Sequence, residues 1–328
     1  MSLLLLEGFD VHRTNADLQA KWGSASNAGT TASGTRYGLG YCLSTGNFTN
    51  LVWYGGAYHQ TLTVGAAIKI TDTDAHSVFQ FRRDGSNEID LYYNGDGSRL
   101  LSVRLNGTVI TTITSFVLLP STRYYIEFQM TSDNTVGAFE VRVNGTTIAT
   151  GTNLDTLRNG YPNQLQTGSQ MYMDDLYLCD DSGVTWNGFQ GDMVVEGKLV
   201  TGAGNYAQMT PLAGLNWQNV DEDGEDGDTT YNYSATAGQK DSFAHAATSL
   251  NGAVLGAQVT VFARKDDVGG RTGRAFLRSG LVDDPGPTDI IADSYIVTRS
   301  LHEVDPNGGG AWNKAAIDAA EIGYELVS

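Results

Sequence analysis

Tyr124-Tyr125-Ile126-Glu127-Phe128-Gln129-Met130 and, after a polar break, Phe139-Glu140-Val141-Arg142-Val143-Asn144-Gly145-Thr146-Thr147-Ile148 decide how this chain folds. In each half every second residue is large and apolar, the pattern of a strand with one buried and one wet face. Asn144-Gly145 tolerates positive φ at both positions and marks a two-residue type I′ hairpin. That turn pairs Val143 with Thr146 and, two residues further back, Val141 with Ile148. The apolar side chains then share one face, and a one-residue slip would send them to the other. The expectation is antiparallel sheet packed on a core.

The same reading extends upstream. Ile89-Asp90-Leu91-Tyr92-Tyr93 runs through a Gly-rich turn into Leu101-Ser102-Val103-Arg104-Leu105. A five-residue loop there pairs Leu91 with Leu101 and Ile89 with Val103, and the Asn106-Gly107 turn sets Val103 opposite Ile110, giving a three-stranded meander. Residues 3–10, 37–43, 51–54, 62–70 and 77–82 are further strand candidates, and 171–178 closes the first domain. The connections are short and hairpin-like, with no room for crossover helices. That predicts an all-β protein led by an antiparallel β-sandwich. A polar, Gly-rich stretch at 180–188 divides the chain into a first domain, 1–182, and a second β-rich domain, 183–328. Strands are expected in the second domain near 193–200, 253–265, 275–278 and 295–299. One helix is expected at 314–322, with Asn313 as N-cap, Trp312 and Ile317 as a hydrophobic staple and Gly323 just past its end. A short strand, 324–327, follows it.

Composition agrees with many short strands: of 328 residues 40 are Gly, 16 Tyr and only 6 Pro. A net charge of −17 without a basic stripe argues against nucleic acid as a partner. Cys42 and Cys179 lack zinc-type spacing; a disulfide between them is open, and two buried thiols are the expectation. The apolar run at 3–6 is too short for a signal segment, so the chain is read as made in the cytoplasm, soluble and not inserted in a membrane.

Candidate chemistry lies along the same strands and in the loops. Glu88 and Asp90 stand on one face, as in sandwich glucanases, but Tyr92 and Tyr93 occupy both positions where the final carboxylate, the proton donor of retaining hydrolysis, could fall; a solvent-facing pair is expected. The loop 221–228 offers Asp221, Asp223, Asp226 and Asp228 as candidate Ca²⁺ ligands, without EF-hand register, and a solvated acidic loop is the expectation. Asp174-Asp175 is read the same way, on an edge of the sandwich. The five histidines show no HxH or HExxH pattern and are read as surface or satisfied residues. There is no nucleophile elbow, P-loop or dinucleotide fingerprint. Trp53, Tyr54, Tyr58, Tyr92 and Tyr93 are the remaining lead, as subunit contacts first and as sugar-stacking platforms second.

The first domain resembles the concanavalin A-like (laminin G-type) jelly roll, on the residues 124–128, 139–145 and Met173-Asp174-Asp175-Leu176-Tyr177-Leu178. The whole chain is similar to structural proteins of tailed bacteriophages. That likeness rests on Leu4-Leu5-Leu6-Glu7-Gly8-Phe9-Asp10, Lys21-Trp22, the acidic loop before Tyr231-Asn232-Tyr233, Ala263-Arg264-Lys265-Asp266 and the end from Asp305-Pro306 to Trp312 and Gly323. It implies a homo-oligomeric virion component, on the tail or decorating the capsid, partnered by its own copies and other virion proteins. The expectations are therefore a structural protein that is not an enzyme, with no cofactor. The alternatives are an adhesin that binds host-surface polysaccharide and, behind it, a polysaccharide hydrolase.

Overall fold

The computed structural model describes residues 2–328 except 13, 15–17, 19, 20, 23, 39, 73, 96 and 250, and of 24–27, 33 and 47–50 the backbone alone. The chain forms two compact units, Met1–Gly197 and Lys198–Ser328.

In the first unit the strands are β1 (Leu3–Glu7), β2 (Ser24–Thr31), β3 (Cys42–Tyr54), β4 (Thr61–Ile70), β5 (His76–Arg83), β6 (Ser86–Tyr93) and β7 (Leu101–Leu105). They continue with β8 (Thr108–Ile113), β9 (Arg123–Thr131), β10 (Gly137–Val143), β11 (Thr146–Leu154), β12 (Gln164–Thr167) and β13 (Met171–Asp180). Hydrogen-bonded order is β11-β10-β9-β4-β13-β3-β12-β5-β6-β7-β8, with β1 on β13 and β2 on β3. The long β3 belongs to two sheets: its start pairs with β13 and its end with β12. Between the sheets lie Val64, Ile68, Ile126, Phe128, Val141, Met173 and Leu178 from one side and Phe79, Phe81, Ile89, Leu91, Val103 and Leu165 from the other. Phe81 and Phe128 stack across the gap with ring centroids 5.5 Å apart. An all-β antiparallel sandwich is what the alternation predicted.

Registers differ in detail. Asn144 and Gly145 take φ of 49° and 76°, and Val143 faces Thr146 as expected, but a bulge then sets Val141 against Ala149 instead of Ile148. In the meander, Asn94 donates to the Leu100 carbonyl at 2.9 Å and lengthens the ladder, so Leu91 faces Val103 and Ile89 faces Leu105. That slip is two residues, so the apolar face is kept. A second bulge places Val103 opposite Thr111, not Ile110. Among the described residues of 37–41 none lies in a strand, and β3 begins at Cys42.

The expected boundary after residue 182 is displaced, because residues 184–197 are a strap laid on the first unit. Trp186 is buried against Tyr177, with ring centroids 5.9 Å apart, and the strand expected at 193–200 does not form before Val200.

The second unit has β14 (Val200–Ala207), β15 (Thr210–Pro211), β16 (Asn232–Tyr233), β17 (Lys240–His245), β18 (Ala257–Ala263), β19 (Arg271–Ser279) and β20 (Val282–Pro285). Then come β21 (Asp289–Ile291), β22 (Ile296–His302), helix α1 (Lys314–Asp318) and β23 (Glu321–Leu326). One sheet, β14-β17-β23-β19-β20 with β21 on β19, is accompanied by the ribbons β15–β16 and β18–β22. Its core joins Val259, Ala275, Leu277, Trp312 and Ile317. The Asn313 side chain caps α1, accepting from the Ala316 amide at 3.0 Å. The helix stops before Ile322 because β23 claims the following residues: Gly323 pairs with Ser242 and Phe276, and a Cβ there would lie 2.3 Å from the Phe276 ring. Its glycine serves close strand packing, not a helix end.

Candidate functional site

The sandwich has two outer faces, and they are finished differently. On β12, β5, β6 and β7, alternation turns Gln164, Gln166, Gln80, Arg82, Glu88, Asp90, Tyr92, Ser102 and Arg104 away from the core. Register then aligns them: Val52, Gln166, Gln80, Asp90 and Arg104 stand opposite one another on successive strands, and Tyr54, Gln164 and Arg82 make the next row.

The groups hold one another in place. Asp90 accepts from the Ser77 hydroxyl at 2.7 Å and from Arg104 Nε at 3.2 Å, while Gln80 Nε2 donates to Ser77 at 2.8 Å. The Arg104 guanidinium lies 3.2 Å above the centre of the Tyr92 ring. Arg82 donates to the Gln166 side-chain carbonyl and to the Gly85 backbone carbonyl. Gln164 in turn accepts from the Gly85 amide at 3.1 Å. The result is a fixed array of planar amide, carboxylate and guanidinium groups next to Tyr54, which is 53% exposed.

Glu88 and Asp90 do not face solvent as expected; both are fully buried. Glu88 accepts from the backbone amides of Arg158 and Asn159, each at 2.9 Å, and from Asn159 Nδ2 at 2.6 Å. Its charge anchors the 158–160 loop, which is why it could not be a free carboxylate.

Of the five aromatic candidates, Trp53 and Tyr93 are core residues, 7% and 0% exposed, because they continue the inward series Leu51-Trp53 and Ile89-Leu91-Tyr93. They are neither subunit contacts nor platforms. Tyr54, Tyr58 and Tyr92 remain on the outer side. The Tyr58 hydroxyl donates to Asp84 at 3.1 Å, and Arg83 lies over its ring at 4.9 Å.

The other outer face, on β9, β4 and β13, is covered by the strap. Four strap amides donate to side chains beneath: Gln190 to the Tyr177 hydroxyl at 3.1 Å, and Gly191, Val195 and Gly197 to Glu127, Asp175 and Asp10, each at 2.8 Å. Arg36 pairs with Asp175 at 3.0 Å, bonds Asp192 and donates to the Met193 carbonyl at 2.8 Å. Asp174-Asp175 is thus no solvated edge. A bulge on β13, with Asp175 at φ 54°, turns both carboxylates outward under the strap, where they are 4% and 2% exposed. Burial pushes Asp174 up to about 7, with repulsion from Asp175 adding to it. Burial does the same to Asp10, also to about 7, with Asp175 and Glu196 adding. A small cavity lined by Asp10, Tyr37, Asp174, Asp175 and Glu196 has about 10 Å³ of room, enough for one water.

Among the described residues no group of three or more His, Cys, Asp or Glu is placed to hold a metal ion. In the second unit Asp228 is spoken for by Arg264, with Nε and Nη2 each 2.9 Å away, and by the Tyr295 hydroxyl. Asp226 accepts from Thr230 at 2.8 Å, and Asp221 and Asp223 are half-buried in the same loop. Cys42 and Cys179 are separate buried thiols whose pKa burial pushes up to about 12. His12, His76 and His302 are buried and bonded, not on the surface.

Gln80, Arg82, Arg104, Gln164 and Gln166 were not singled out from sequence. The signal was present in Gln80-Phe81-Arg82 and Gln164-Leu165-Gln166, where planar polar residues flank a core position, but the order β12-β5-β6-β7 that aligns them is a tertiary fact.

No protein-family model matches the sequence, and no curated protein matches it. Among solved structures, an endo-β-1,4-glucuronan lyase from the fungus Trichoderma reesei is 10% identical, with 48% of this chain and 90% of that one covered at a TM-score of 0.39. Domain 4 of AbnA, an extracellular GH43 arabinanase from Geobacillus stearothermophilus solved with arabinotriose, is 14% identical, covering 54% and 92% at 0.38. The galectin LEC-6 of Caenorhabditis elegans is 11% identical, covering 41% and 93% at 0.30. Such likeness concerns the fold alone. One expectation is corrected: the sequence reads as a protein that is not an enzyme, whereas a lyase is among the solved structures it is similar to.

Proposed function

We propose that the outer face of β12, β5, β6 and β7 binds a saccharide chain. The observation that carries this is the pair of cross-strand rows, Gln166-Gln80-Asp90-Arg104 and Tyr54-Gln164-Arg82. Sugars offer closely spaced hydroxyls beside an apolar ring face. Amides and guanidinium groups, set in place around the buried Asp90 carboxylate, meet the hydroxyls, and a tyrosine at the margin takes the ring face. Preorganisation matters here because side chains already tied to each other lose little freedom on binding. Binding of the full chain to a glycan array, weakened about tenfold by Tyr54→Ala, is the expected result, in line with about 1.4 kcal/mol for one ring contact. An array blank for neutral and acidic glycans alike rejects the reading.

The setting we propose is a tailed-phage particle, with the second unit serving attachment to it; this rests on the sequence resemblance. Purified particles whose mass spectra contain no peptide of this chain would reject it.

A further inference from the structure

The glycan reading leaves open what kind of sugar the face takes, and one side chain narrows it. Arg82 is half-buried, and both groups it donates to, the Gln166 amide oxygen and the Gly85 carbonyl, are neutral. Its Nε is buried without a hydrogen-bond partner. Among the described residues the carboxylates of this face are engaged elsewhere: Asp90 by Arg104, Glu88 by the amides of 158–159, and Asp84 by Arg83, Tyr58 and Asn163. On the opposite outer face Arg36 has two carboxylates, Asp175 and Asp192. Burial pulls the Arg82 guanidinium below its ordinary pKa range, the mark of a cation withdrawn from water without a counter-ion.

We propose that Arg82 is the recognition point for a carboxylate on the bound saccharide, and that the ligand is therefore a uronate-bearing chain. The inference rests on the glycan reading and adds the charge. A guanidinium presents a planar fork that matches a carboxylate, and the pair gains most where water is already excluded. Tyr54, two strands away in the same row and so about 10 Å off, can stack on a neighbouring residue of that chain. A dianionic phosphate fits less well, because one cation would have to hold it against Asp84 and Asp90. The chain's net charge of −17 repels polyanions at a distance, but screening over about 8 Å at physiological salt leaves the local contact intact.

The test uses the full chain and two forms of each probe. Oligomers of galacturonate, glucuronate, mannuronate and guluronate are titrated as free acids and as methyl esters, which keep the hydroxyls and remove the charge. At least one free acid is expected to bind about 10- to 100-fold tighter than its ester, the range for a hydrogen bond to a charged group. Arg82→Gln should bring acid and ester to the same affinity, and Arg82→Lys should recover part of the preference. Because the acid–ester comparison needs no variant, an unstable Arg82→Gln protein does not spoil it. Acid and ester bound equally would overturn the uronate inference and leave the glycan reading standing. Binding confined to neutral glycans would do the same, and no saccharide bound at all would remove both.

Discussion

One sandwich presents two outer faces, and the chain lays a strap over one and leaves the other without one. Beneath the strap, acceptor side chains face backbone donors: Glu127, Asp175, Asp10 and Tyr177 take the amides of 190–197, and Arg36 is neutralised twice. On the open face the side chains satisfy one another, and Arg82 is left with neutral partners only. Polar groups finished by the chain itself are structure. Polar groups finished sideways, with one charge uncompensated, are where a ligand has something to add.

That contrast can be broken most forcefully at the strap's anchor. Trp186→Ala empties the site against Tyr177 and should cost about 3–5 kcal/mol, read from the urea midpoint, with new protease cleavage within 184–197. Arg36→Gln comes next: it strands Asp175 beneath the strap and should cost about 3 kcal/mol. If Arg36→Gln were silent in the same titration, the covered face would not be the sealed structure described.

A pH series probes the acids below the strap. Below about pH 3 folded and unfolded chains both hold the Asp10 proton, and the group contributes nothing. As pH rises towards about 7 the unfolded chain releases it while the folded chain keeps it, so stability falls and the loss is complete above that point. Asp174, also at about 7, acts in the same sense. Asp10→Asn should therefore match the wild type at about pH 3 and exceed it at pH 8, by on the order of 1 kcal/mol after discounting for partial exposure. Equal melting temperatures at pH 8 would show that the carboxylates are not crowded. The smallest effect sharpens the comparison most: Arg82→Gln should change stability by no more than about 0.5 kcal/mol, in contrast to Arg36→Gln, because it breaks no ion pair.

Much of the sandwich was legible because alternation and two Asn-Gly turns act locally. Val143 opposite Thr146 follows from turn geometry alone. Val141 opposite Ile148 failed because a bulge is a compromise with sheet twist, which no short window of residues reveals. From sequence alone the strap reads as a linker and a strand because its partners are distant side chains. Val195 bonds Asp175 and Gly197 bonds Asp10, contacts that periodicity does not encode. Trp53 and Tyr93 were misplaced for a simpler reason: aromatic residues suggested a platform, although parity with Leu51 and Leu91 already assigned them to the interior.

The shared strand β3 has a mechanical consequence. One end is stitched to β13 and the other to β12, so neither sheet can peel away without tearing a ribbon that also belongs to its neighbour. Amide hydrogen exchange should then show the two sheets opening together, with the amides of β3 among the last to be labelled.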